Sequence, residues 1–216
     1  MIAGSLSLRC WDTALVLLPG RALWLPEQRA LVVADWHLGK AQVYRRAGIG
    51  VPRGITTGDL DRLNALLTAT QAEQLVVLGD LLHGAVDAEA DWLHTLQAWR
   101  AEREGLRLRV AVGNHDRQLH QLPLALDELA PGIALGPLLG VHVLDPADPR
   151  PQLCGHLHPV RTLRAAGRRE RVPVAWLQPG ALILPAFGRF TGGHAIEPAP
   201  RDRCYAMLDD AVIALP

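Results

Sequence analysis

The chain is built from short runs of consecutive apolar residues, broken by glycine, proline and charged positions. Near the start, ALVLL (14–18) and ALWL (22–25) flank a Pro-Gly pair, which predicts two strands joined in a hairpin. The runs ALVVAD (30–35) and LVVLGD (75–80) are apolar up to their terminal aspartate and read as buried strands, and LRVAVG (108–113) reads as a third strand running into a loop. Between them the period changes. Leu60, Leu63, Leu66 and Leu67 recur at helical spacing and predict a helix over Asp59–Thr70, and a second helix is expected over Ala88–Arg103. From Gly132 onward the runs IALG, LLGVHVL, QLCGHLH, VPVAW, ALILP and CYAML read as strands. The expectation is one α/β domain over residues 1–216, with β-α-β crossovers in its first half and mostly strands in its second.

Composition narrows the function. Twenty-two basic residues balance twenty-two acidic ones, so no global positive field holds a polyanion, and any anionic partner must be gripped locally. Three widely separated cysteines, Cys10, Cys154 and Cys204, argue against a disulfide framework and fit a reducing, cytoplasmic setting. The first residues lack a secretory pattern, and the longest uncharged stretches are interrupted by proline and glycine, so no membrane span is expected.

The chemistry lies at the ends of the apolar runs. VVADWHLGK ends in Asp35 and His37, VVLGDLLHG in Asp80 and His83, VAVGNHDRQ in Asn114, His115 and Asp116, and QLCGHLHPV in His156 and His158. The C-terminal edge of a parallel sheet is where ligands collect, so four clusters distant in sequence can meet there. Asp, His and Asn without a thiolate form an N/O donor set suited to Mn, Fe, Zn or Co. In extended backbone, residues two apart face one side, which would let Asp35 and His37 share an ion while Trp36 turns into packing. Gly79, Gly113 and Gly155 precede the polar residues and permit close backbone approach.

D-x-H, G-D, G-N-H-D and G-H-x-H in this order resemble the calcineurin-like metallophosphoesterases. The resemblance spans Asp35 to His158 and implies a four-layer αββα sandwich with mixed sheets around two divalent cations, most often Mn, with Fe, Zn, Co or Mg as alternatives. It implies that Asp35, His37 and His158 hold one cation, that Asn114 and His156 hold the other, and that Asp80 bridges them. It also implies a further histidine between G-N-H-D and G-H-x-H. His142 is the only histidine in a strand-like run there, although the spacing also admits Leu144 or Asp145. His120, in DRQLHQLP, reads as a surface residue at a helix start. Two such cations lower the pKa of bound water from about 16 toward roughly 7, enough to supply hydroxide near neutral pH. The resemblance further implies that His115 donates to the substrate or leaving oxygen, with Asp116 orienting it.

ADWHLGKA, GDLLHG with His83, GHLHPVRTL and LPAFGRFTGG are similar to the ligase-associated DNA damage response endonucleases. That resemblance implies a DNA phosphodiester substrate, a role in repair, and a DNA ligase and a helicase as partners. VRTLRAAGRRERV is the strongest local basic cluster, with Arg161 and Arg164 as candidate phosphate contacts beside Arg168, Arg169 and Arg171. A solvated hairpin is its plainer reading. Arg45, Arg46, Arg53, Lys40 and Arg189 are further cations near the motifs. A phosphomonoesterase or cyclic-nucleotide phosphodiesterase would use the same donors, and a non-catalytic scaffold of this fold would have lost some of them.

Overall fold

A computed structural model describes residues 2–165 and 168–216. The strands in chain order are β1 (Leu6–Cys10), β2 (Thr13–Leu18), β3 (Ala22–Leu25), β4 (Ala30–Val33), β5 (Gln74–Leu78), β6 (Arg107–Ala111), β7 (Glu128–Ala130), β8 (Gly132–Leu135), β9 (Leu138–Val141), β10 (Gln152–Cys154), β11 (Pro159–Ala165), β12 (Arg168–Gln178), β13 (Ala181–Ile183), β14 (His194–Ala195), β15 (Arg203–Met207) and β16 (Val212–Leu215). The helices are α1 (Lys40–Arg46), α2 (Ile55–Thr70) and α3 (Asp91–Ala101). A 3-10 turn covers Asp116–Gln121, where DRQLHQLP was expected to start a helix, and it leaves His120 exposed.

Two mixed sheets divide the chain at Pro131. The first runs β1 to β7 in sequence order, antiparallel from β1 to β4 and parallel from β4 to β7. The second runs β14-β11-β12-β13-β10-β9-β8, with β15 and β16 added beside β12. Here β10 lies parallel to both β9 and β13, and most other pairings are antiparallel.

Strand alternation sorts the core into layers. In β4 and β5, Leu31, Val33, Leu75 and Val77 face α2 and α3, where Leu60, Leu63, Leu93 and Leu96 meet them. Ala30, Val32, Val76 and Leu78 point the other way and pack on Ile133, Leu153, Ala175 and Leu182 of the second sheet. Both faces of these strands are therefore apolar, which is why the sequence reads as unbroken hydrophobic runs. The expected sandwich of two mixed sheets is present. Among the described residues, helices cover only the outer face of the first sheet. On the second, Leu139, Val141, Cys154, Ala181 and Ile183 form a smaller cluster under Trp176.

The crossovers β4-α2-β5 and β5-α3-β6 keep three parallel strands in register and bring their C-terminal ends to one edge. The β9 and β10 ends stay joined by the Gly155 amide donating to the His142 carbonyl (3.1 Å). The second sheet reaches that edge where the His156 amide donates to Asp35 Oδ2 (2.9 Å) and, after β13, the Phe187 amide to the Ala34 carbonyl (2.7 Å).

Candidate metal centre

Three of the four clusters leave their strands through short, strained turns. Asp35 and His37 follow β4 at φ 51° and 54°, Asp80 follows β5 at 46°, and His156 and His158 follow β10 at 70° and 46°. The extended backbone expected for D-x-H and H-x-H is thus replaced by left-handed turns. The reason lies in the backbone pairing: the amides of Asp35, His37 and Leu38 donate to the carbonyls of Gly79, Asp80 and Leu81, which locks the two loops together. Left-handed non-glycine residues cost about 1–2 kcal/mol each, and such strain persists where surroundings fix it at a site.

Glycine permits the approach of these turns. Gly79 sits at φ 75°, and a Cβ there would run into the His142 ring. A Cβ on Gly155 would lie 2.6 Å from Asp35 Oδ2, and one on Gly113 would strike Asp80.

The donors converge in two sets. Asp35, His37 and His158 form one, with 3.3 Å between the Nε2 atoms of the two histidines and 3.4 Å from His158 Nε2 to Asp35 Oδ1. Asp35, Asp80 and His142 form the other. Beside it, His142 Nε2 is 2.8 Å from Asn114 Oδ1 and 3.1 Å from His156 Nδ1. Asp80 stands between the sets, with Oδ2 facing His37 Nε2 at 3.8 Å and Oδ1 facing His142 Nε2 at 3.5 Å.

The choice between His142 and Leu144 or Asp145 is geometric. His142 is buried just past β9, whereas Leu144 is exposed and Asp145 Oδ1 accepts from the amide of Ala147 in a surface turn. His142 Nδ1–H donates to the Leu78 carbonyl and His158 Nδ1–H to the Gly192 carbonyl, both at 3.2 Å, so each ring turns an Nε2 lone pair toward the centre.

Asp35 and Asp80 are almost fully buried, and among the described residues neither forms an ion pair with lysine or arginine. Two carboxylates in a low-dielectric edge with only imidazole and amide neighbours leave negative charge that divalent cations can neutralise, so the donor set fits the expected metals. Burial raises the Asp35 carboxyl above its ordinary range and pushes His37 down to about 2, with His158 and Lys40 adding to the latter shift. His37 is thereby held as the neutral imidazole that a metal requires.

His115 lies at the mouth. Its amide donates to Asp80 Oδ1 (2.8 Å), while its ring is partly exposed with Nε2 4.0 Å from Asp80 Oδ2. Asp116 differs from expectation. Its two oxygens accept from the backbone amides of Leu82 and Gly113, each at 2.9 Å, so it braces the loops and has no hydrogen bond to the His115 ring among the described residues. His83, three residues past Asp80, reaches His37 (Nδ1 to Nδ1, 3.2 Å) and stacks on His115 with centroids 5.0 Å apart. Burial, then Lys40 and His115, push it down to about 4.

The basic cluster is arranged differently from its expected role. Arg161 Nη1 donates to the Pro216 carbonyl (3.2 Å), which turns it toward the end of the chain instead of the cage. Arg164 is an exposed residue of β11, and the tip of the expected hairpin, residues 166 and 167, falls outside the described residues. Arg45 and Arg46 are tied to Pro52 and Asp87. The LPAFGRFTGG segment packs directly behind the cage. The Gly188 amide donates to the Asp35 carbonyl, Phe187 meets Trp36 edge to face, and Arg62 of α2 stacks on Phe187 while donating to its carbonyl. That support comes from residues scattered over three segments and carries no local sequence signature.

No family model matches the sequence, and no curated protein matches it. Among solved structures, the nuclease MPE of Pseudomonas putida is 35% identical over 98% of this chain and 100% of that one, with a TM-score of 0.84. The phosphoesterase Yfce of E. coli aligns over 86% of this chain and 96% of that one at 19% identity, with a TM-score of 0.49. No described helix is long and apolar enough to cross a membrane.

Proposed function

Because this chain belongs to the calcineurin-like metallophosphoesterases, we propose that it is a dimetal phosphodiesterase that cuts DNA and serves DNA repair in the cytoplasm. The observation that carries this reading is the convergence of Asp35, His37, Asp80, Asn114, His142, His156 and His158 at one sheet edge. End-to-end similarity to a nuclease supports the substrate class.

Asp35, His37 and His158 would hold one divalent cation, and Asn114, His142 and His156 the other, with Asp80 shared between them. Cations there, Mn foremost, would supply electrophilic charge and an acidified water for attack at phosphorus. The protein residues do the rest. Leu78 and Gly192 carbonyls hold the imidazoles of His142 and His158 in one tautomer, so no reorganisation accompanies the reaction. His115, exposed at the mouth and anchored through its amide, would donate a proton to the leaving oxygen. His83, stacked against it, would fix the ring's orientation in the place first expected of Asp116. Scaffold members of the fold lose donors, and this full set favours catalysis.

The test is turnover by manganese-loaded protein on single-stranded circular DNA, linear DNA, a bis-aryl phosphate and a mono-aryl phosphate. DNA cleavage with the bis-aryl ester faster than the mono-aryl ester is expected. A preference for the mono-aryl ester with no DNA cleavage would make the protein a phosphomonoesterase. A repair role with a DNA ligase and a helicase predicts that cells lacking the protein are sensitive to DNA-damaging agents, and unchanged survival would count against it.

A further inference from the structure

The two flanks of the cage differ in character. Beyond Asn114 and His142 lies a broad groove whose exposed side chains include Val112 and Val143, and its one arginine, Arg150, is already paired with Asp148. Beside His158 lies a smaller cleft of about 190 Å³, lined by Arg21, Arg171 and Arg189 together with Thr191 and the Gly192–Gly193 backbone.

This cleft is coupled to the cage through adjacent carbonyls. Gly192 accepts from His158 Nδ1, and Gly193 accepts from Arg171 Nη2. Arg21 donates to the Ala186 carbonyl (3.4 Å), and its Nε is buried without a partner. Among the described residues the Arg189 side chain pairs with Asp209 alone (3.2 Å), and both side chains are about half exposed or more, so this pair is loose and readily exchanged for another anion. Beneath them Arg62 pairs with Asp59 (3.0 Å). Four guanidinium groups thus face two carboxylates, an excess of two positive charges beside a cage that itself attracts a phosphoryl group.

We infer that the cleft formed by Arg21, Arg171 and Arg189 is a phosphate subsite that grips the DNA backbone next to the linkage lying over the cage. The inference rests on the nuclease reading above and specifies where the strand leaves the site. Guanidinium forks match phosphate geometry, and contact confined to phosphates carries no sequence preference. Among the described residues the cleft is lined by no phenylalanine, tyrosine or tryptophan on which a base could stack. It also takes over the phosphate-binding role for which the sequence had offered Arg161.

The experiment is fluorescence anisotropy of a labelled oligothymidylate with manganese-loaded protein, on a His115→Ala background so that the strand survives the titration. Arg171→Gln with Arg189→Gln should weaken binding about tenfold and reduce the slope of log affinity against log salt by about 1.4, with metal content unchanged. Arg201→Gln, the control for Arg189→Gln alone, removes one positive charge elsewhere on the surface and should change affinity less than about twofold. Arg189→Gln alone carries the test if the double variant does not fold. Asp209→Asn should tighten binding about threefold by removing the competing carboxylate. Equal weakening by Arg201→Gln, or an unaltered salt slope in the double variant, would overturn the subsite. Aryl-phosphate turnover without DNA cleavage would instead defeat the nuclease reading, and the binding data would still judge the cleft on its own.

Discussion

His115 and Asn114 are neighbours in the chain that face different things. Asn114 Oδ1 turns inward to His142, whereas the His115 ring lies at the surface against His83. His115→Ala should therefore lower turnover by about 100-fold or more while two equivalents of metal remain, the usual scale for a lost general acid. Asn114→Ala and Asp80→Ala should lower metal content as well, and elemental analysis of the three purified variants distinguishes these outcomes. A second prediction concerns pH. His37 has an ordinary value of 6.5 and is pushed down to about 2 by burial. Below pH 6.5 the unfolded chain takes up a proton that the folded chain refuses, so metal-free protein should lose about 1 kcal/mol per pH unit from His37. His83 and His156, also lowered but more exposed, act in the same direction. Asp35 and Asp116 are raised by burial, so the folded chain takes up their protons above the ordinary carboxylate range and they offset part of the loss. Urea melts from pH 7.5 to 5.5 should show the decline, and a flat profile would contradict it. At this scale the sequence was informative about the donors because each sits directly after an apolar run. It was silent on Arg21, whose partners are 165 residues away, and misleading on Asp116, because a carboxylate beside a histidine gives no hint that backbone amides will claim it.

The loops between β5 and Asp80 and between β10 and His156 are held by glycines with a neighbouring donor pressed against them. Gly79→Ala would combine a left-handed backbone with a methyl group in the His142 ring. It should cost about 2–4 kcal/mol in urea unfolding and displace His142 enough to weaken one cation. Full retention of stability and of both metals would show that the loop yields more easily than its packing implies. The elements differ in how visible they were. β4 and β5 were legible because both faces are buried, and β6 because Leu108, Val110 and Ala111 are buried in an apolar run. α1 was not, since none of its seven residues is buried and no apolar stripe marks it. α2 begins at Ile55, a turn ahead of the expected Asp59, because Thr56, Thr57 and Gly58 contribute nothing to the hydrophobic period. β1 and β11 interleave apolar with polar residues, β16 is a short apolar run with none of its residues fully buried, and all three lie at or near sheet edges, where the signal is weak.

Across the whole molecule, the cage joins the two sheets: Asp35, His37, Asp80 and Asn114 belong to the first, and His142, His156 and His158 to the second. Divalent cations held there would tie the layers together and favour only the folded state. At a hundredfold excess over their dissociation constant each of two cations would contribute about 2.7 kcal/mol, so chelation should lower the melting temperature by about 10–20 °C and added manganese should restore it. An unchanged melt after verified metal removal would argue against a load shared between the sheets. The division at Pro131 also has a temporal meaning. A ribosome delivers the first sheet complete, with four of the seven donors, before any of the second exists. The nascent chain therefore offers a passing cation only an open half-shell until His158 has emerged, and full metallation becomes one of the last events in maturation.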